Sequence, residues 1–221
     1  MVRRLVDYLS GSQGPHGIWP SVLPENNEHP HAPWWTWTED AQQVWMFNPS
    51  VELAGYLVYW SEADSSAARL GWETLNLAVS RLLSCTAMDM HEIHNYLMTT
   101  KLMESRAAEF ASNTGHSLED VKRKLTELVL TAVEKDPTKW GGYTALPLYF
   151  INGPESYLCT VLGDLVEENL KYFVATVDAD GLWSVTWGWD SHPAEFAIAS
   201  RHWQGFIALE RYQIFKAFGW L

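Results

Sequence analysis

Apolar residues recur at intervals of three and four along most of the chain, and no stretch sustains the strict alternation of a half-buried strand. Val2 to Leu9 reads as an amphipathic helix. Asn48-Pro49 offers an Asn N-cap and a proline at the first helical position for a run to Trp60. Asp64 caps the next helix, Ser65 to Leu83, which carries Leu70, Leu75, Leu77, Val79 and Leu82. Asp89-Met90-His91-Glu92 has the form of a capping box opening a long helix toward Phe110. Ser117-Leu118-Glu119-Asp120 starts another, in which Val121, Leu125, Leu128, Val129 and Ala132 keep helical spacing to Glu134. Gly153-Pro154 restarts a helix through Leu158, Leu162, Leu165 and Leu170, and a last one runs from Glu195 to Phe218. The pattern predicts an all-α fold of stacked helical hairpins, in a single domain covering residues 1–221.

The connections carry a second pattern. Tyr8-Leu9 followed by Gly17-Ile18-Trp19 matches Tyr172-Phe173 followed by Gly181-Leu182-Trp183, at a constant offset of 164 from Tyr8 to Tyr172 and from Gly17 to Gly181. Each copy leads into an aromatic stretch with a His-Pro: His29-Pro30-His31-Ala32-Pro33-Trp34-Trp35 in one, Trp187-Gly188-Trp189-Asp190-Ser191-His192-Pro193 in the other. A weaker third copy, Trp140-Gly141-Gly142-Tyr143 to Pro147, echoes Trp19 to Pro24. In so aromatic a chain either true repetition or coincidence produces such matches; true repetition implies a solenoid or toroid, with elaborate loops gathered on one side.

The segment Asp180-Gly181-Leu182-Trp183, Trp187-Gly188-Trp189 and Arg201-His202-Trp203-Gln204-Gly205-Phe206 resembles the repeat of the terpenoid cyclase and protein prenyltransferase superfamily. The resemblance covers the C-terminal segment well and Gly17-Ile18-Trp19 and Trp140-Gly141-Gly142 weakly. It implies an α/α toroid, or an open array of helical hairpins with aromatic-rich loops, and a cavity where the loops gather. The chain departs from the family's chemistry. The squalene-cyclase-like acid motif Asp-x-Asp-Asp is matched only by Asp178-Ala179-Asp180 before Gly181, which reads as a turn held by side-chain-to-backbone hydrogen bonds. Neither an Asp-rich magnesium site nor an Asp/Cys/His zinc site is evident, so no cofactor or metal is expected.

Composition narrows the partners. A formal charge of −12 repels polyphosphate and anionic lipid surfaces, which argues against nucleic acid. No apolar run approaches the length of a membrane span. The N-terminus lacks the apolar core of a secretory signal, and Cys85 and Cys159 read as two separate buried thiols, so the expected location is cytoplasmic. Thirteen tryptophans among 221 residues exceed what a core of this size needs. Flat apolar surface of this kind serves ligands, and would also serve a homodimer.

Candidate chemistry follows the same loops. The segment Glu25 to Asp40 is the densest polar-aromatic mixture, a long loop in which Trp34, Trp35 and Trp37 supply rigid contact surface and Glu25, His29 and His31 supply proton-transfer groups. Its other reading is a cover that plugs the mouth of the helix array. Asp190 and His192 are candidates for catalysis from the C-terminal stretch, with Trp19, Trp183, Trp187, Trp189 and Trp203 as ligand-binding surface. His91-Glu92-Ile93-His94 sets two imidazoles on one helical face, a metal site only if a third ligand arrives from elsewhere. Three functions fit: a protein binding or acting on a large apolar, isoprenoid-type ligand, a carbohydrate-active α/α-barrel protein with Trp platforms and an Asp/Glu pair, and a non-catalytic interaction module. The first is favoured, and with it an enzyme.

Overall fold

A computed structural model describes residues 1–221, which are 67% helical with no strand. The chain divides into two compact units, Met1–Leu23 with Trp37–Ala132, and Pro24–Thr36 with Val133–Leu221. No helix is long and apolar enough to cross a membrane.

The first unit contains seven helices: α1 (Val2–Ser12), α2 (Ala41–Trp45), α3 (Ser50–Trp60), α4 (Ser66–Ser84), α5 (Met90–Met103), α6 (Ala107–Thr114) and α7 (Leu118–Ala132). Helix α3 is its centre, packed against α1, α4 and α5, while α7 lies on α4 and α5. Leu57, Leu75, Leu82, Ile93, Leu125 and Val129 are fully buried between them. The starts of these helices differ from the sequence reading in instructive ways. The side chain of Asn48 does not cap α3: its Oδ1 accepts from Asn95 Nδ2 at 2.7 Å. Ser65 rather than Asp64 caps α4, its Oγ accepting from Ala68 N. Asp89 does cap α5 through His91 N. Glu92, however, does not complete a capping box. It is 3% exposed, takes two hydrogen bonds from Arg81 at 3.0 and 3.1 Å, and accepts from Phe47 N. A buried carboxylate needs a cation more than a helix end needs a second cap. The helix expected to reach Phe110 is interrupted by a 3-10 turn at Glu104–Arg106, where Arg106 donates to Ser61 O.

The second unit holds α8 (Tyr157–Leu162), α9 (Asp164–Thr176) and α10 (Pro193–Ala217). The single helix expected after Gly153-Pro154 is two, capped at Ser156 and broken at Gly163, whose φ of +55° is left-handed. The unit's core holds Leu148, Ile151, Leu158, Leu162, Leu170 and Trp140, together with Phe173, which meets Trp183 and Phe215. The segment Glu25 to Asp40, read from sequence as a structureless loop, is shaped by two 3-10 turns, Pro24–Glu28 and Pro33–Trp35. Cys85 and Cys159 are free and only half-buried, and burial pushes the Cys159 thiol upward.

The sequence repeat is a repeat of geometry, one copy in each unit. In the first, Trp19 is 4% exposed and its indole Nε1 donates to Leu9 O at 3.0 Å; in the second, Trp183 is 2% exposed and donates to Phe173 O at 2.8 Å. Each acceptor is the first of the last four carbonyls of its helix, groups that have no partner within the helix. The intervening turn is closed by Gly14 N to Ile18 O at 2.8 Å in one copy and Asp178 N to Leu182 O at 2.9 Å in the other. Gly17 and Gly181 stand at φ +72° and +78°, and their carbonyls accept from Thr74 Oγ1 at 2.6 Å and Tyr212 Oη at 2.9 Å. Asp178-Ala179-Asp180 is the turn expected of it: Asp178 Oδ1 accepts from Asp180 N and Leu182 N. The third copy keeps only an indole-to-carbonyl bond, Trp140 Nε1 donating at 2.8 Å to Glu134 O, two residues beyond the end of α7.

Candidate functional site

Pro24–Thr36 and the C-terminal part of the chain belong to one unit, and aromatic rings join them. Trp35 and Trp34 meet edge to face at 6.5 Å, and Trp34 stacks on Tyr143 at 6.3 Å with the planes 17° apart. Tyr143 then meets Trp187 at 5.7 Å, Trp187 meets Trp203 of α10 at 5.5 Å, and Trp203 meets Phe206 at 5.9 Å. This is an unbroken run of six rings from four separate stretches of sequence. It is a surface rather than a core, since Trp34 is 41%, Tyr143 50% and Phe206 56% exposed.

Local bonds hold the segment that carries Trp34. Trp35 N donates to Ala32 O at 2.8 Å and Thr36 N to Pro33 O at 3.2 Å, closing the Pro33–Trp35 turn, while Asn26 Nδ2 donates to Trp35 O. Pro33 opens that turn, its fixed φ suiting the first position of a short helix. His31 is fixed at both ring nitrogens, by His29 O at Nδ1 and Thr36 Oγ1 at Nε2. A carbonyl only accepts, so neutral His31 carries its proton on Nδ1 and Nε2 accepts from the Thr36 hydroxyl. Its ring lies 6.2 Å from that of His192, the residue before α10. Both imidazoles are half-buried.

The remaining sequence candidates are distributed unevenly. Trp189 packs on Phe196 of α10 at 5.6 Å. Glu25, His29 and Asp190 are exposed. Trp19 and Trp183 turn their indoles inward as helix caps, so their faces serve the core. Trp37 is half-buried in the first unit. Sequence reasoning does not name Tyr143 or Phe206 as site residues, although the Trp-Gly-Gly-Tyr context marks the first as part of a repeat and the second stands in the segment that carries the family resemblance; Phe196 carries no signal beyond the apolar pattern of the last helix. No three His, Cys, Asp or Glu side chains converge as metal ligands, His91 and His94 included.

A second arrangement of charge and rings lies beneath this surface. The Arg211 guanidinium of α10 stands 4.0 Å from the centroid of Phe173 and 5.1 Å from that of Trp183. Burial pushes Arg211 down to about 10, which leaves it a cation at neutral pH, held against two ring faces. It ties α10 to the indole-capped turn that orients the aromatic run.

Comparison of the chain with protein-family models, with curated proteins and with solved structures finds no match.

Proposed function

We propose that this is a protein of the α/α-toroid kind that binds, and acts on, a large apolar ligand of isoprenoid type along the aromatic run of its second unit. The observation that carries the reading is the continuous series Trp35, Trp34, Tyr143, Trp187 and Trp203, open to solvent at Trp34 and Tyr143. Such a series offers an extended hydrocarbon continuous contact with no polar group left unpaired, and ring faces stabilise positive charge developing on a polyene. His31 and His192 are the acid–base pair in this reading, because imidazole gives and takes protons near neutral pH and the two rings lie 6.2 Å apart in the unit that carries the run. The duplicated indole-capped turn supports the toroid part of the proposal, since superposable helix-and-turn units are what such architectures are made of.

Carbohydrate binding is the second reading. It is favoured by the exposure of Trp34 and Tyr143, which leaves ring faces open as stacking platforms, and by exposed Glu25, Asp190 and Glu195 in the same unit.

The test is ligand-dependent thermal stabilisation and tryptophan fluorescence with farnesol, farnesyl diphosphate and longer isoprenoids on one side and oligosaccharides on the other. The wild type is compared with a Trp34→Ala, Trp187→Ala double variant. A response to isoprenoids that the variant loses supports the proposal. A response to sugars alone replaces it with the second reading, and silence from both in a folded protein rejects both.

A further inference from the structure

Helix α10 is 25 residues long, yet only Ala208 and Phe215 of it are buried. Ile198, His202, Gly205, Leu209, Tyr212 and Lys216 recur at four- and three-residue intervals and so share one stripe, with Glu195, Phe206 and Gln213 beside it. Ile198 is 66%, Phe206 56% and Leu209 57% exposed. Leu209, Tyr212, Gln213, Lys216 and Leu221 line an open recess of about 340 Å³ on the same side. Gly205 stands in the middle of the stripe, and a Cβ there would meet nothing within 4 Å. A mid-helix glycine weakens a helix relative to alanine. No contact within this chain requires one here, whereas an approaching second helix would.

We infer that this face of α10 pairs antiparallel with α10 of a second copy of the chain. Charge argues for that occupant and for one register. The stripe has an acid at its start, Glu195, and a base at its end, Lys216, so an antiparallel pair sets each carboxylate opposite the other copy's ammonium, twice, by the two-fold. The same register sets Ile198 opposite Gln213, His202 opposite Leu209 and Gly205 opposite Phe206, so that each exposed phenyl ring seats over the glycine of the other helix. Ile198 and His202 of the second copy then enter the recess beside Leu209 and Gln213. With Arg201, Arg211 and Lys216 against Glu195 and Glu210, the helix is not acidic, and the surface brought together avoids the self-repulsion of a chain of net charge −12. The helices would run together over about 33 Å at 1.5 Å per residue.

Sedimentation velocity of the full chain over a range of concentrations tests this. The expected result is a monomer–dimer equilibrium whose dissociation constant rises about tenfold or more in Glu195→Lys and in Lys216→Glu, because each reversal turns two attractive pairs into repulsive ones. Combining both reversals restores dimerisation. Gly205→Ala gives opposite signs in one molecule: a higher melting temperature for the dilute monomer and a weaker dimer. If the charge variants lose helix content by circular dichroism, Ile198→Cys with Gln213→Cys provides an independent readout, since mild oxidation then yields a covalent dimer. A chain monomeric at every concentration overturns the inference. So does a dimer indifferent to the charge reversals, a double reversal no better than the singles, or no cross-link between the paired cysteines.

Discussion

Trp19 and Trp183 occupy one structural position twice. Each is the last residue of a helix-and-turn motif, and each gives its indole N–H to the carbonyl ten residues earlier, Leu9 or Phe173. A hydroxyl near the helix end, Ser12 or Thr176, also reaches the same carbonyl at 3.5 Å in both copies. Two segments 164 residues apart thus solve the same problem, the unpaired carbonyls at a helix C-terminus, with the same side chains.

Replacing either tryptophan by phenylalanine keeps most of the apolar volume and removes the donor. The expected cost is about 1–3 kcal/mol in each case, the penalty for a buried carbonyl left without its partner. Truncation to alanine adds a cavity and raises the cost to about 3–5 kcal/mol. Urea unfolding of Trp19→Phe, Trp183→Phe and the two alanine variants measures this. A Trp183→Phe variant as stable as wild type would remove the indole cap from the account.

Gly181 is needed twice over. Its φ of +78° disfavours any L side chain, and a Cβ there would lie 2.8 Å from Tyr212 Oη. Gly181→Ala is expected to cost about 1–3 kcal/mol, the backbone part of which is about 1–2. Deleting the hydroxyl in the same molecule, Gly181→Ala with Tyr212→Phe, should cost less than the two single changes together, because the clash is gone. Additive losses in that double-mutant cycle would show that backbone conformation alone requires the glycine.

Arg81 and Glu92 form an ion pair in the first unit, with side chains 27% and 4% exposed, and Glu92 also accepts from Phe47 N. Glu92→Gln leaves a half-buried guanidinium without its counter-charge and is expected to cost about 1–3 kcal/mol. Arg81→Met should be more damaging, about 3–5 kcal/mol, since the carboxylate it strands is 3% exposed. Thermal denaturation of both variants at neutral pH checks the claim, and losses below about 1 kcal/mol would mean that water reaches the pair.

Glu52 of α3 is a half-buried carboxyl. Burial raises its carboxyl above the usual 4.5, so the ionised group opposes folding at neutral pH. The unfolded chain releases this proton more readily than the folded one, and the penalty therefore grows as pH rises through the folded value and vanishes below 4.5. Glu52→Gln should raise the melting temperature at pH 7, with a gain that shrinks as the pH is lowered through this range. A gain independent of pH would trace the effect to packing against Tyr56 instead.

The helical class, the positions of α7 and α10, and the two copies of the turn were legible along the chain, because each rests on contacts between residues close in sequence. Helix periodicity repeats every few residues, Ser117 and Asp120 cap each other across one turn, and the indole of Trp183 reaches only to Phe173. The roles of Asn48 and Glu92 were misread for the complementary reason. Their local uses, as a cap and as a capping-box partner, lost to Asn95 and Arg81, which lie 47 and 11 residues away and offer a buried polar group the partner it requires. The aromatic surface divides in the same way. Its tryptophans stand out in the sequence, but a tryptophan's letter is the same whether its indole caps a helix, as Trp183 does, or lies half-open beside Tyr143, as Trp34 does. Local sequence determined which elements and turns form, since their hydrogen bonds close over short loops. The tertiary structure alone decided that Trp34 stacks on Tyr143 and that His31 meets His192, since those contacts join residues more than 100 positions apart.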